Sequence, residues 1–311
     1  MTANIPESAP RPGRCWFCGL KELRVGDPPE HVIPAAIGGK LTTDRVCKKC
    51  NNAASVIDQR FSQDWFVALE RTKHELPDRK GDSPPHPKQK VKGKKDGKPY
   101  RINTTGGGFE LEPVAQVQKD EAGNVNVSAA SEEESYRAAE RILGDLEAQG
   151  FKVSEVKHEK LAPVEVEVSL KVDPTVYVRE AAKMALGALS LVWPDEWLES
   201  DGAKRLQRWV REDVPKDDQG ETVWGLPGTN LDALSHVCQP PEHLVVLFPS
   251  GSNVTVTFVL FGALVLPIHA ETAGQAQPQR VWRMNPKQGS LEAMSLDELL
   301  TEAALRIQGK A

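Results

Sequence analysis

The spacing of apolar and polar residues divides the chain into short stretches of different period. "PEHVIPAAIGG" opens on Glu30 and His31, runs apolar, stops at Pro34 and ends at Gly38–Gly39, which reads as a short strand leading into a loop. "DRVC" predicts a second strand. From about Asn51, Val56, Ile57, Phe61, Trp65, Phe66 and Leu69 recur at helical spacing. "PDRKGDSPPHPKQK" is a Pro-rich linker or exposed loop. "KQKVKGKKDGKPYRI" alternates and turns at Asp96–Gly97, a basic hairpin with Lys88, Lys90 and Lys92 on one face.

Beyond it, "FELEPVAQVQKDEAGNVNVSA" predicts strands around a turn at Ala122–Asn124. "SEEESYRAAERILGDLEAQG" predicts a helix with a Ser131–Glu134 capping box and Gly150 at its end. Strands follow in "FKVSEVKHEKLAPVEVEVSLKV", then helices in "PTVYVREAAKMALGALSLV" and "GAKRLQRWVRE". "HLVVLFPSGSNVTVTFVLFGALVLPI" predicts a hairpin turning at Ser250–Asn253, and "SLDELLTEAALRIQ" a last helix.

The 311 residues suffice for two domains. The expected division is a disordered arm over 1–14, a compact cysteine-bearing domain over 15–76, a basic Pro/Lys-rich linker or hairpin over 77–99, and a larger α+β domain over 100–311. Hydrophobic and charged contents of 39% and 27% suit a soluble globular protein. The start lacks an apolar signal region. The longest apolar run, "VTVTFVLFGALVLPIHA", is broken by Thr255, Thr257, Gly262 and Pro267. A cytoplasmic protein with no membrane partner is expected.

Net charge is −5 but unevenly spread: residues 1–103 hold 20 Lys/Arg against 12 Asp/Glu, the rest 19 against 32. A basic half that meets a polyanion and an acidic half that does not would produce this asymmetry; solvation of both halves would tolerate it too.

Five cysteines in such a chain do not predict disulfides. Four form Cys15-Trp16-Phe17-Cys18 and Cys47-Lys48-Lys49-Cys50. Two residues between thiolates let one backbone knuckle present both sulfurs to one ion, and two knuckles complete a tetrahedron. A structural Zn²⁺ is expected, with no open coordination position and hence no chemistry of its own. Redox CxxC pairs are the competing reading, without the surrounding pattern they need. Cys238 reads as a buried apolar filler. Because Asn51 follows Cys50, the zinc would also fix the start of the helix that carries Asn51.

Taken together, "CWFC…EHVIPAAIGG…VCKKCNN" resembles the HNH endonucleases, the ββα-metal group with a four-cysteine zinc site. The order of motifs is similar to the T4 endonuclease VII type and to small bacterial HNH nucleases. The resemblance covers about residues 15–65. It implies a zinc-stabilised ββα-metal domain followed by the larger α+β domain. It implies that His31 is the general base, that Glu30 and Asn51 hold a catalytic Mg²⁺ or Mn²⁺, and that the substrate is DNA. Three departures stand out. Glu30 replaces a common Asp, the middle bracing residue has no match closer than Asp44, and Ala54 stands where some members carry a further acid. Asp58, two turns after Asn51, would reach the same helix face, either orienting Asn51 or His31 or as a surface acid. Adjacent strand residues point to opposite faces, so Glu30 and His31 cannot both face one metal on a regular strand.

The expected function is metal-dependent nicking or double-strand cutting of DNA, in phage defence or restriction. Lys88, Lys90 and Lys92 are candidate DNA contacts. The domain over 100–311 would serve specificity, sensing or dimerisation. Its candidate homodimer surfaces are "VREAAKMALGAL" and the apolar hairpin. The competing readings are a zinc-stabilised nucleic-acid-binding module without catalysis, and a nuclease effector gated by a small ligand of the C-terminal domain.

Overall fold

The computed structural model describes residues 13–19, 23, 26–77, 89–93, 99–105, 108–114, 116–119, 125–128, 132–148, 150, 166–167, 173–212, 237–275 and 279–308. In chain order the described elements are β1 (Glu30–His31), β2 (Thr42–Thr43), α1 (Lys48–Gln63), α2 (Trp65–Lys73), β3 (Gln89–Gly93), β4 (Pro99–Thr105), β5 (Gly108–Pro113), β6 (Gln116–Lys119), β7 (Val125–Ser128), α3 (Glu132–Ala148), β8 (Val166–Glu167), α4 (Pro174–Leu189), α5 (Asp201–Arg211), β9 (His243–Ser250), β10 (Asn253–Leu260), β11 (Leu264–Glu271), β12 (Arg280–Asn285), β13 (Ser290–Met294) and α6 (Leu296–Ile307). The class is α+β, with antiparallel sheets. No described helix is long and apolar enough to cross a membrane.

The chain forms two compact units: residues 1–84 together with 172–311, and residues 85–171. The boundary expected at residue 100 therefore falls inside the second unit, and residues 172–311 pack with the cysteine-bearing segment. The reason lies in α4. Its stretch from Ala181 to Leu189, apolar save for Lys183, is buried on every side, and such a helix needs cover all round. Its surroundings are α1, α5, β1, β2, β10 and β11. One core joins Val32, Ile57 and Phe61 of the N-terminal segment to Val178, Ala182 and Leu186 of α4 and to Val256 and Leu266 of the sheet. At Gly187 a Cβ would lie 3.2 Å from Val32 Cγ2, so the small residue lets helix and strand approach. Of the surfaces expected to pair two copies, α4 and β10 are thus largely buried inside the unit, while β11 forms an edge of the sheet.

The sheet of this unit runs β11-β10-β9-β12-β13, antiparallel throughout. The predicted turn joins β9 to β10, with Ser250 opposite Asn253. The run that follows folds back once more: Phe261 and Gly262 both take positive φ, and a Cβ at Gly262 would meet the Cys238 carbonyl oxygen at 2.7 Å. Ser295 caps α6 in a reciprocal box with Glu298.

The predicted single helix after Asn51 is broken in two. Asp64 ends α1 and caps α2, its carboxylate accepting from Phe66 N at 3.1 Å. Ile57 and Phe61 are buried as their spacing predicts, whereas Val56 is 50% exposed.

The second unit contains the expected basic hairpin, with β3 and β4 pairing antiparallel and Lys90 opposite Arg101. Its described strands form one sheet, β5-β4-β3-β8, and a separate antiparallel β6–β7 pair, with α3 packed on β7. Gly150 ends α3 with φ +83°. Lys88, Ser131 and the turn at Asp96–Gly97 lie outside the described residues.

Candidate metal centre and active site

The cysteine cluster forms from the two knuckles the spacing predicts. The Sγ atoms of Cys15, Cys18, Cys47 and Cys50 all lie within 4.8 Å of one another. Zinc–thiolate bonds of about 2.3 Å at tetrahedral angles put sulfurs roughly 3.8 Å apart, so the four residues fit a structural zinc site. Gly19 closes the first knuckle with φ +70°, its N–H donating to Cys15 O at 2.7 Å. Cys47 is the N-cap of α1, and Asn51 N donates to Cys47 O at 2.9 Å. In the thiol form, the Cys50 thiol bonded to Cys15 brings the Cys15 pKa down to about 5, while Cys50 is pushed up and keeps its proton.

Distant residues hold the knuckles in place. Asp195 accepts from Arg14 N at 2.8 Å and Trp16 Nε1 at 3.0 Å, and pairs with the Arg45 guanidinium. Burial alone would raise its pKa, but these donors hold it below the ordinary carboxylate value. Trp16 stacks on Trp197 at 5.4 Å, and Gln207 Nε2 donates to Trp16 O at 3.1 Å. Nothing in the local pattern around Cys15 pointed to these partners.

The acid–histidine pair lies on β1, where Glu30 pairs with Thr43 and His31 with Thr42. Strand alternation separates their side chains. Glu30 is buried, with Oε1 3.1 Å from Lys183 Nζ; His31 is half-buried. Gly38 and Gly39 shape the loop between the strands. Gly38 has φ +91°, and a Cβ on Gly39 would sit 1.9 Å from the Ile33 carbonyl oxygen. His243 pins this loop to the sheet, with Nε2 donating to Ile37 O at 2.8 Å and Nδ1 accepting from Phe261 N at 3.0 Å. Complete burial lowers its pKa to about 4.

Lys183 is the centre of a buried ion cluster. Its Nζ lies 3.2 Å from Glu180 Oε1, donates to His31 O at 3.2 Å, and bonds Asp58 as well as Glu30. Burial would lower the lysine pKa, but Glu180, Asp58 and Glu30 outweigh it and the ammonium is favoured. Three acids face one cation. Burial raises the pKa of Glu30 and, further, of Glu180, so the fully buried Glu180 is the acid best suited to keep its proton. Asp58 thus meets Glu30 through Lys183. Asn51 is half-buried and donates Nδ2 to Pro28 O at 3.0 Å, tying the start of α1 to the segment entering β1. Asp44 is exposed on the turn after β2. Lys90 and Lys92 belong to the second unit. The sequence reading set Lys183 beside Arg179 at i,i+4 and missed its pairing with Glu180, although a charged i,i+3 pair inside an otherwise apolar helix is a signal of paired buried charge.

Zinc knuckles, an acid–histidine strand and an asparagine at the start of the following helix occupy one contiguous segment. Residues 15–66 match the family model of the HNH endonucleases. This HNH segment contains every cysteine ligand together with Glu30, His31, Asn51 and Asp58. The match points to nuclease chemistry on a nucleic acid. Neither the curated proteins nor the solved structures include a significant match to the chain.

Proposed function

We propose that the protein is a metal-dependent HNH endonuclease that hydrolyses DNA phosphodiester bonds in the cytoplasm, in a phage-defence or restriction role. The observation that carries this reading is the family match over the segment in which His31 and Asn51 stand on elements anchored by the zinc knuckles.

His31 is the general base. An imidazole titrates near neutrality and accepts the proton of an attacking water at working pH. Glu30 and Asn51 would hold Mg²⁺ or Mn²⁺. Asn51 suits such a hard cation, since its amide nitrogen is already used on Pro28 and its oxygen is left; Glu30 brings a carboxylate of which Oε1 is held by Lys183. When bound, the ion supplies charge stabilisation to the phosphate and the leaving oxygen. The Asn51–Pro28 bond ties the helix that carries Asn51, anchored at the cysteine cluster, to the segment entering the strand that carries His31.

A second reading, a zinc-stabilised nucleic-acid-binding module without catalysis, draws support from Glu30, whose side chain is 5% exposed and engaged by Lys183. Incubating the full chain with supercoiled plasmid, with and without Mg²⁺ or Mn²⁺, separates the two. Ion-dependent nicking or linearisation is expected. Binding without cleavage under every ion would favour the module.

A further inference from the structure

We propose that Lys183, supplied by α4 from far along the chain, is a positioning residue of the nuclease centre, holding the Glu30 carboxylate and the His31 carbonyl in place. This rests on the nuclease reading above.

Lys183 is fully buried, yet its ammonium meets acceptors from three elements: Glu30 Oε1 and His31 O on β1, Asp58 on α1, and Glu180 Oε1 on its own helix. Burying three ionisable groups and half-burying a fourth is costly, and apolar residues of similar volume often serve stability as well or better. α4 meets that alternative on either side of Lys183, with Ala181, Ala182, Met184, Ala185 and Leu186 all buried. The polar cluster stands where α4 passes the backbone of the acid–histidine pair.

Its geometry has a direct consequence for that pair. The bond to His31 O fixes the peptide that carries the imidazole, and the ion pair to Glu30 restricts that side chain to one arrangement. Asp58 and Glu180 hold the ammonium from the other sides. Groups that brace a metal-binding carboxylate in this way set affinity and rate, and their loss commonly changes either by about 10–100-fold. The HNH segment on this account is incomplete without α4.

The test uses the full chain and two variants. Lys183→Met/Glu180→Gln removes one group of each sign. Asp58→Asn alters a side chain that is 21% exposed and so is better placed to tolerate change. Zinc content and melting temperature establish folding. Titration calorimetry then gives Mg²⁺ or Mn²⁺ binding to the zinc-loaded protein without DNA, and plasmid cleavage gives kcat and KM for DNA. The folded double variant should lose about 10–100-fold in kcat and bind the ion more weakly, with KM for DNA within about twofold. Asp58→Asn should show the same split at several-fold, and it decides the matter if the double variant fails to fold. A folded, zinc-loaded variant with the parent kcat and the parent ion affinity would overturn the role of Lys183. A parent chain that cuts under no ion would instead overturn the nuclease reading itself.

Discussion

At the scale of single residues, strand alternation decides what each member of the acid–histidine pair can do. Glu30 turns inward to Lys183 and His31 stays half-exposed. The conflict between two neighbours facing one metal was readable from the strand period alone; the partner that takes Glu30 was not, because Lys183 lies on a helix remote in sequence. The four cysteines were readable because their chemistry is encoded in spacing. His243 was not, since a buried histidine looks like any other until its two backbone partners are known. It makes a testable contribution to stability. Its pKa is depressed from 6.5 to about 4 in the folded chain, so between those values the unfolded chain binds the extra proton. Stability from this residue is complete above pH 6.5 and is lost as pH falls toward 4, about 3 kcal/mol in all. Denaturant melts of the parent and of His243→Gln should therefore converge by about that amount from pH 7 to pH 4. Parallel stability curves would show that His243 is not held neutral.

At the scale of elements, the helices and the longest hairpin were readable because apolar periodicity and turn residues are local. The break between α1 and α2 was missed because the apolar spacing continues through it; only the capping of α2 by Asp64 interrupts the backbone. The third strand of the sheet was missed for a similar reason, its turn at Phe261–Gly262 lying inside one apolar run. The β1–β2 element and the start of α1 depend on the knuckles, since Cys47 caps α1 and Cys15 accepts from its backbone N–H at 3.4 Å. Removing one ligand should therefore dismantle the element. Cys47→Ser is expected to lose stoichiometric zinc and the protection of the α1 amides against hydrogen exchange, because small metal sites supply folding energy outright. Folded parent protein without zinc by elemental analysis, or a variant with undiminished protection, would contradict the centre's structural role.

At the scale of the whole molecule, the boundary between units was the least readable feature. Composition suggests a basic first third and an acidic remainder, but the core follows α4, which joins residues 1–84 to 172–311 and leaves 85–171 as a unit of its own. Such a closure depends on contacts between distant segments, which periodicity does not report. The charge asymmetry still carries a prediction. With 20 Lys/Arg against 12 Asp/Glu in residues 1–103, binding to duplex DNA should weaken steeply with salt. Neutralising Lys88, Lys90 and Lys92 should reduce the slope of log K against log salt by up to about 3. An unchanged slope would make the hairpin a solvated edge. The central claim is that His31 is the base of a metal-dependent nuclease, and the most direct measurement is plasmid cleavage by zinc-loaded His31→Ala beside the parent under Mg²⁺ and Mn²⁺. The parent should cut, and the variant should keep its zinc, its fold and its DNA binding while losing about 10²–10⁴ in rate. Cleavage by His31→Ala at the parent rate would contradict the account.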